Sequence, residues 1–234
     1  MRRRRYEFTL SASTGRPGSL MTQRSLFQRG VYSVTRIVTR CLAVWLFRLR
    51  CRGRGQVPAS GGALICCNHQ SNIDPVVIGL CCDRQLIYLA RKSLFRFGPF
   101  AWLIRFYGAI SIDRDGAGLT GIKGILRQLK KERLVLMFPE GTRSRDGQVA
   151  PFKPGLCALA RRARVPLVPV ALDGAYDVLP RGCWWPRRTT VRVSFGPPIW
   201  PDAMAGVDDE ELLQDVYRRI VEGHDRLRRE RAGA

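Results

Sequence analysis

The stretch Asn68-His69-Gln70-Ser71-Asn72-Ile73-Asp74-Pro75 marks a change from strand to helix. It follows the apolar run 63–67, which is typical of a short buried strand, and it leads into the apolar run 76–80. Proline at a first helical position, with aspartate just before it, is a common helix start. His69 is therefore predicted to lie in a strand-to-helix turn, where a side chain can project from a rigid base.

The carboxylate of Asp74 is close enough in sequence for the turn to fold it back onto the imidazole of His69. Such a pair would set the tautomer of the ring and make His69 a better general base. The alternative is that Asp74 only caps the following helix, since aspartate is a preferred N-cap residue. The turn alone leaves both interpretations open.

Length and composition indicate one globular α/β domain with a sizeable core, because the chain has 234 residues and 45% of them are hydrophobic. There are 40 Lys and Arg against 19 Asp and Glu, a formal net charge of +21. Such a charge indicates an anionic partner: nucleic acid, acidic lipid or a phosphorylated substrate. The eight cysteines show no C-x-x-C spacing, so we expect no metal site and a reducing environment.

The amino-terminal part of the chain divides into two segments. Residues 1–20 are predicted to be a disordered basic tail. Residues 21–52 contain a helical repeat of apolar residues, with Arg29, Arg36 and Arg40 on the opposite face. This amphipathic pattern suits a helix on a membrane surface, and the alternative is a helix that packs on the domain.

From about residue 53 to residue 234 the chain alternates between strand and helix patterns, which predicts a sheet with helices on its faces. The predicted strands are 63–67, 85–89, 109–112, 134–138, 166–171 and 190–195. The predicted helices are 75–82, 97–106, 119–131, 155–163 and 209–229. His224 falls on the apolar side of the last helix, and a structural role is predicted for it.

Two further segments carry arginine next to a predicted strand. The segment 108–114 ends in Arg114, and the loop 138–145 contains Glu140, Gly141 and Arg143. Glycine lets a backbone approach a ligand closely, and two arginines can hold a phosphate by bidentate contacts. Arg114 and Arg143 are therefore predicted to bind a phosphate. The alternative is that both segments are solvated basic loops.

The apolar run 165–171 contains two prolines, Pro166 and Pro169, which flank Leu167 and Val168. Proline cannot donate a hydrogen bond to a neighbouring strand, so this strand is predicted to lie at a sheet edge or to form the wall of a hydrophobic channel.

Taken in order, these four segments resemble the four motifs of the glycerolipid acyltransferases, and most closely those of the 1-acylglycerol-3-phosphate acyltransferase (PlsC-like) family. The resemblance covers roughly residues 30–200. It implies a single α/β acyltransferase domain with a central mixed sheet flanked by helices, plus an amino-terminal amphipathic helical segment on the membrane.

The resemblance also implies a reaction: transfer of a fatty acyl group from acyl-CoA or acyl carrier protein to the free hydroxyl of lysophosphatidic acid, giving phosphatidic acid. His69 would be the general base and Asp74 its partner. The residues implied to bind substrate are Arg114, Glu140, Gly141, Thr142, Arg143 and Ser144. The residues implied to line an acyl channel are Pro166, Val168 and Pro169.

We expect direct transfer, because Ser71 lies too close in sequence to His69 for the geometry of a covalent triad. No metal or other cofactor is expected. The expected partners are an anionic membrane surface, a lysophospholipid acceptor and the acyl donor, with no nucleic acid, and the expected location is the cytoplasmic face of the cell membrane. One alternative is an acyltransferase for another lysolipid, such as lyso-ornithine lipid. The other is a non-enzymatic basic protein that binds membranes or nucleic acid.

Overall fold

The structure is a computed structural model that describes residues 43–91, 109–112, 119–183 and 185–233, together with residues 38, 41 and 98. Several predictions made from the sequence fall elsewhere in the chain. Arg114, the tail 1–20, most of the segment 21–52 and all but one residue of the predicted helix 97–106 lie outside the described residues.

In the described part of the chain, seven strands form one sheet. They are β1 (Arg50–Arg52), β2 (Ala63–Cys67), β3 (Leu86–Arg91), β4 (Ala109–Ile112), β5 (Leu134–Met137), β6 (Leu167–Asp173) and β7 (Arg192–Phe195). Their order across the sheet is β1-β7-β6-β2-β5-β3-β4, and every neighbouring pair is parallel except β6 and β7. The prediction of a mixed sheet in an α/β domain is confirmed.

Among the described residues after β2, six helices have defined bounds. They are α1 (Asp74–Cys81), α2 (Leu119–Lys130), α3 (Leu156–Ala163), α4 (Ala175–Val178), α5 (Pro201–Met204) and α6 (Asp209–Ala232). The side chain of Asp208 accepts a hydrogen bond from the backbone N–H of Glu210 and so caps α6. Acidic residues in the first turn of α6 and arginines in its last turn complement the helix dipole.

The core has two layers, one on each face of the sheet. Residues of α1 and α4 pack on one face, and residues of α2, α3 and α6 pack on the other. Successive residues of β2 point into different layers. Ile65 and Cys67 belong to the layer with α1 and α4, and Leu64 and Cys66 belong to the layer with α2, α3 and α6. The parallel centre of the sheet is therefore buried on both faces, as the continuous apolar run of β2 predicts.

The proline-containing strand β6 lies inside the sheet, between β2 and β7. The prediction of an edge position is therefore wrong. The carbonyl of Pro169 accepts a hydrogen bond from Gly196, so its missing N–H would also point towards β7. Regular pairing of β6 with β7 ends at Val170 and Phe195, beside this proline. Pro169 thus lies where the ladder is interrupted and no donor is needed.

Residues 50–52, which were assigned to the end of the amino-terminal helical segment, form the edge strand β1. Residues 43–47 are helical, and the chain then enters the sheet through hydrogen bonds between Val191 and both Phe47 and Arg50. None of the helices formed by the described residues combines the length and apolarity needed to cross a bilayer.

Candidate active site

The carboxyl ends of the parallel strands β2, β5 and β6 meet at one edge of the sheet. The turn 68–73 follows β2, the loop 138–155 follows β5, and α4 follows β6. In open α/β sheets this is the edge where ligands usually bind. Segments far apart in sequence thus come together around His69.

His69 and Asp74 are hydrogen-bonded: the imidazole Nδ1 lies 2.8 Å from the carboxylate Oδ2. The side chain of Asp74 is fully buried, whereas that of His69 keeps 19% of its surface exposed. An ionised carboxylate can only accept, so Nδ1 carries the proton and the neutral ring has its lone pair on Nε2. The hydrogen bond to Asp74 therefore sets the tautomer of the His69 ring.

Asp74 is the first residue of α1, and Ile73 occupies the N-cap position. The Oδ2 of Asp74 also accepts the backbone N–H groups of Gln70, at 2.6 Å, and Ser71, at 2.8 Å. Three donors thus converge on one oxygen of the carboxylate. The interpretation of Asp74 as a helix cap is wrong, because its side chain organises the turn that carries His69.

The ring of His69 stacks on Phe138, with centroids 3.9 Å apart and planes 16° from parallel. Phe138 follows β5, so the side chain that supports one face of the imidazole comes from a neighbouring strand. The stack and the hydrogen bond to Asp74 together restrict the orientation of the ring. The sequence motif that contains Phe138 pointed to this loop, but not to the stacking role of this residue.

Glu140 also holds the turn of His69. Its Oε1 accepts the backbone N–H of His69 at 2.9 Å, and only 3% of the residue is exposed. Burial raises the pKa of its carboxyl to about 7; the N–H groups of His69 and Ala150 act in the opposite direction, and the charge of Asp74 adds to the increase. Glu140 was predicted to bind substrate; in the structure its carboxylate supports the turn that carries His69.

The rest of the loop after β5 is tied to the same turn. The backbone N–H of Ser144 donates to the carbonyl of His69 at 2.7 Å, and the Ser144 hydroxyl donates to Asp146 at 3.0 Å. Gly141 has φ of 69°, and a Cβ there would come within 3.0 Å of the Lys153 side chain. The left-handed backbone therefore favours glycine at this position, whereas the flexible end of the Lys153 side chain can move aside. Thr142 is exposed, and Arg143 is partly buried.

Gln70 is a structural residue of the site that the sequence did not single out. Its Nε2 donates to the carbonyl of Gly147 at 2.7 Å, and its Oε1 accepts from the N–H of Ala175 at 3.1 Å. The same Nε2 lies 3.3 Å from Nε2 of His224, which is buried in α6. The predicted structural role of His224 is thus extended: it packs directly against the residue next to His69.

Ser71 is buried, and its hydroxyl donates to the carbonyl of Leu179 at 2.8 Å. A serine whose hydroxyl is committed to a backbone carbonyl is poorly placed to act as a nucleophile. This contact supports direct transfer over a covalent intermediate on Ser71.

The three residues predicted to line an acyl channel are all buried in or beside β6. Val168 belongs to the core layer that contains α1, and Pro166 precedes the strand. Pro166 precedes β6, whereas Val168 pairs with Ile65 and Pro169 with Cys66, near the carboxyl end of β2 that His69 follows. The structure thus brings His69, Asp74, Glu140 and Ser144 together, and the channel stays a prediction.

The cysteines in or next to the apolar segments of β2 and α1 are buried. Cys66, Cys67, Cys81 and Cys82 belong to the core, and no disulfide links the described cysteines. Burial raises the pKa of the Cys66 and Cys67 thiols, so both stay neutral and behave as small apolar side chains.

Solved and curated proteins resemble the chain over most of its length. The crystal structure of the 1-acyl-sn-glycerophosphate (LPA) acyltransferase PlsC from Thermotoga maritima matches 89% of this chain and 84% of that chain, with a TM-score of 0.75 and 25% identity. The 1-acyl-sn-glycerol-3-phosphate acyltransferase of Bacillus subtilis (strain 168) is 32% identical over 176 residues, which is 73% of this chain and 85% of the relative.

A plant relative shows the same likeness over a smaller share of its own length. The 1-acyl-sn-glycerol-3-phosphate acyltransferase of Limnanthes douglasii is 30% identical over 184 residues, which is 76% of this chain and 66% of the relative. The family model described as Acyltransferase matches residues 48–173, which include β2, α1, β5 and the site around His69. Because that match covers more than half of the 234 residues, the chain belongs to the acyltransferase family.

Proposed function

We propose that the protein transfers a fatty acyl group from an acyl thioester to the free hydroxyl of 1-acyl-sn-glycerol-3-phosphate, giving phosphatidic acid. The observation that carries the proposal is the hydrogen bond between His69 and the buried Asp74, at the sheet edge where α/β proteins bind ligands. The similar proteins of Bacillus subtilis and Limnanthes douglasii are named 1-acyl-sn-glycerol-3-phosphate acyltransferases, which supports this acceptor.

An alcohol is a poor nucleophile at neutral pH, so the reaction needs a base. Nε2 of His69 takes the proton of the acceptor hydroxyl while the oxygen attacks the thioester carbonyl. The tetrahedral intermediate then collapses, the C–S bond breaks, and the thiolate receives the proton from His69. Base catalysis of this kind contributes about 10²–10⁴-fold.

The buried carboxylate of Asp74 stabilises the imidazolium that forms during the attack, because Nδ1–H already donates to it. Glu140 and Gln70 act through the backbone around His69 and not on its imidazole. They hold the backbone and the turn around His69, so that the ring keeps its orientation during the proton transfer. Neither residue needs to touch the reacting atoms for this role.

The arginines of the two basic motifs, Arg143 and Arg114, bind the phosphate of the acceptor in this proposal. Arginine suits this role because its guanidinium forms paired hydrogen bonds with phosphate oxygens. The donor is acyl-CoA or acyl carrier protein, both of which are anionic and suit a chain of charge +21. The mechanism uses only side chains of the protein and requires no metal or other cofactor.

The proposed location is the cytoplasmic face of the cell membrane, on an anionic lipid surface. Three exposed apolar side chains in residues 38–45, Val38, Val44 and Trp45, support such a surface contact. A lysolipid acceptor and a diacyl product both reside in the membrane, so contact of the protein with the bilayer would let substrate and product exchange without crossing water.

The test is acyl transfer to a panel of lysolipids, with acyl-CoA and acyl carrier protein as alternative donors. We expect 1-acyl-sn-glycerol-3-phosphate to be the preferred acceptor and His69→Ala to abolish turnover. Preference for lyso-ornithine lipid, which has no phosphate, would replace the proposed acceptor. If no lysolipid of the panel were acylated with either donor, the enzymatic proposal would be refuted.

A further inference from the structure

A cavity of about 410 Å³ lies beside β1, and its lining includes none of the residues assigned above to the reaction. One wall comes from the segment that leads into β1, and the other comes from the loop that leads into β7. The lining residues are Trp45, Leu46, Arg48, Arg188, Thr189 and Thr190.

Both walls are attached to the sheet. The N–H of Val191 donates to the carbonyl of Phe47 at 3.0 Å, and the N–H of Arg50 donates to the carbonyl of Val191 at 2.9 Å. Between these contacts Arg48 adopts a left-handed backbone with φ of 43°. This conformation is uncommon for a residue other than glycine or asparagine, and it ends the helical run at Phe47.

The chemistry of the cavity suits an anion. Two guanidinium groups and two threonine hydroxyls line it, and the guanidinium of Arg188 lies 5.0 Å from the centre of the Trp45 ring. The sequence contains no acidic residue between Glu7 and Asp74, and none between Asp177 and Asp202. Both walls therefore lack carboxylates, and a phosphate can accept hydrogen bonds from several lining groups.

The surroundings of the cavity favour a lipid over a free ion. Trp45 is 66% exposed, and Val44 beside it is also exposed. Trp185, in the same loop as Arg188, is 85% exposed. Exposed tryptophan beside arginine is typical of protein surfaces that lie at the level of lipid headgroups.

The cavity also lies at the edge of the sheet that carries the active site. β7 is antiparallel to β6, so Arg192 at its start pairs with Asp173 at the carboxyl end of β6. β1 is parallel to β7 and starts at the same edge. We infer that this cavity binds the phosphate headgroup of an anionic membrane lipid and thereby docks the edge that carries His69 on the bilayer.

This inference goes beyond the proposed reaction, since the lipid held here is a component of the membrane surface and is not the acceptor. It is tested by binding alone. The full-length protein is sedimented at physiological ionic strength with vesicles of phosphatidylcholine, with and without phosphatidylglycerol. Arg48→Asn removes the charge and keeps a residue that tolerates the left-handed backbone, and Arg188→Gln removes the second charge.

We expect each substitution to weaken binding to the phosphatidylglycerol vesicles about fivefold, the effect of one basic residue near an anionic surface, with a larger loss in the double variant. Arg188→Lys should recover much of the binding because it keeps the charge. The matched control is Arg162→Gln, an exposed arginine on α3, which ends at the opposite edge of the sheet. It should change binding less than about twofold. Melting temperatures of all variants check that the fold is kept.

Two results would overturn the inference. If Arg162→Gln weakened binding as much as the cavity variants do, general attraction of a chain of charge +21 would explain it. If inorganic phosphate raised the melting temperature of the wild type but not of Arg48→Asn, while all variants bound vesicles equally, the cavity would be a site for soluble anions.

Discussion

The imidazole of His69 and the carboxylate of Asp74 are joined by a 2.8 Å hydrogen bond, and the same carboxylate oxygen accepts two backbone N–H groups of the intervening turn. The six residues 69–74 therefore form a closed turn around one carboxylate oxygen. The turn that carries the base and the group that sets its tautomer form a single unit, so a change at Asp74 acts on both the chemistry and the local fold.

Replacing Asp74 by asparagine separates these two effects. The amide oxygen can still accept the backbone N–H groups, so we expect the free energy of unfolding to fall by only about 1 kcal/mol. The charge that stabilises the imidazolium is lost, so turnover should fall about 10²–10⁴-fold. Asp74→Ala should also leave the N–H groups of Gln70 and Ser71 unpaired, at about 1–3 kcal/mol each. Single-turnover acyl transfer and thermal melting measure the two effects.

The control for this prediction is Asp208→Asn. Asp208 does cap a helix, and asparagine caps about as well as aspartate, so neither turnover nor melting should change. Near wild-type turnover in Asp74→Asn would contradict the catalytic role of the pair.

Glu140 should make stability depend on pH. Folding raises the pKa of its carboxyl from 4.5 to about 7. Between these values the unfolded chain loses a proton that the folded chain keeps, so stability falls as the pH rises and levels off above pH 7. Across the whole range the free energy of unfolding should fall by about 3 kcal/mol. Glutamine can still accept the N–H of His69, so Glu140→Gln should lose this dependence.

Urea unfolding at pH 5 and pH 8 measures the effect. The stability of Glu140→Gln relative to the wild type should increase between the two values. Glu211→Gln changes an exposed carboxylate on α6 and leaves Glu140 in place, so it should keep the wild-type dependence. If the stabilities of the wild type and Glu140→Gln changed by the same amount between pH 5 and pH 8, the pKa of Glu140 would not be raised.

Gln70 should contribute to both stability and catalysis. Gln70→Met keeps the length of the side chain but leaves buried backbone groups of Gly147 and Ala175 without their partner. Each such group costs about 1–3 kcal/mol of the free energy of unfolding. We expect turnover to fall as well, since the turn of His69 loses its link to α4. Gln148→Met, at an exposed position next to Gly147, should change neither quantity. Equal stability of the two variants would contradict this account.

The strands were largely predictable because their signals are local. β2 and β4 have the predicted bounds 63–67 and 109–112, and apolar residues predominate in both. The position of β6 was not predictable in the same way. From sequence alone, Pro169 predicts an edge strand. In the structure the regular pairing of β6 with β7 stops beside Pro169, opposite Gly196, and this depends on a strand more than 20 residues later in the chain.

The site shows the same division between local and distant signals. The pairing of His69 with Asp74 spans five residues and could be predicted from spacing. The bond from His69 to Glu140 spans 71 residues, and the contact of Gln70 with His224 spans 154. These contacts depend on the order of the strands, which brings the ends of β2 and β5 together and lays α6 across β6. Sequence spacing carries no information of that kind.

Arg143 should determine the affinity for the acceptor. If it binds the phosphate, Arg143→Ala removes a charge-assisted contact of about 1.5–3 kcal/mol and should raise the KM for 1-acyl-sn-glycerol-3-phosphate by about one to two orders of magnitude. The matched control is Arg145→Ala, which removes an exposed arginine from the same loop and should leave KM nearly unchanged. Arg114→Ala should behave like Arg143→Ala. Steady-state kinetics with the acceptor varied measures all three.

The comparison of Arg143→Ala with Arg145→Ala also tests which acceptor the site selects. A phosphate-binding role predicts that Arg143→Ala loses affinity for lysophosphatidic acid but keeps whatever low activity the protein has towards a phosphate-free lysolipid, because that acceptor never formed the lost contact. An equal rise in KM for both acceptors would indicate a disturbed loop, since Arg143 lies between two residues, Gly141 and Ser144, that the turn of His69 needs in place. No rise with either acceptor would exclude the phosphate contact at this position and would favour a phosphate-free acceptor.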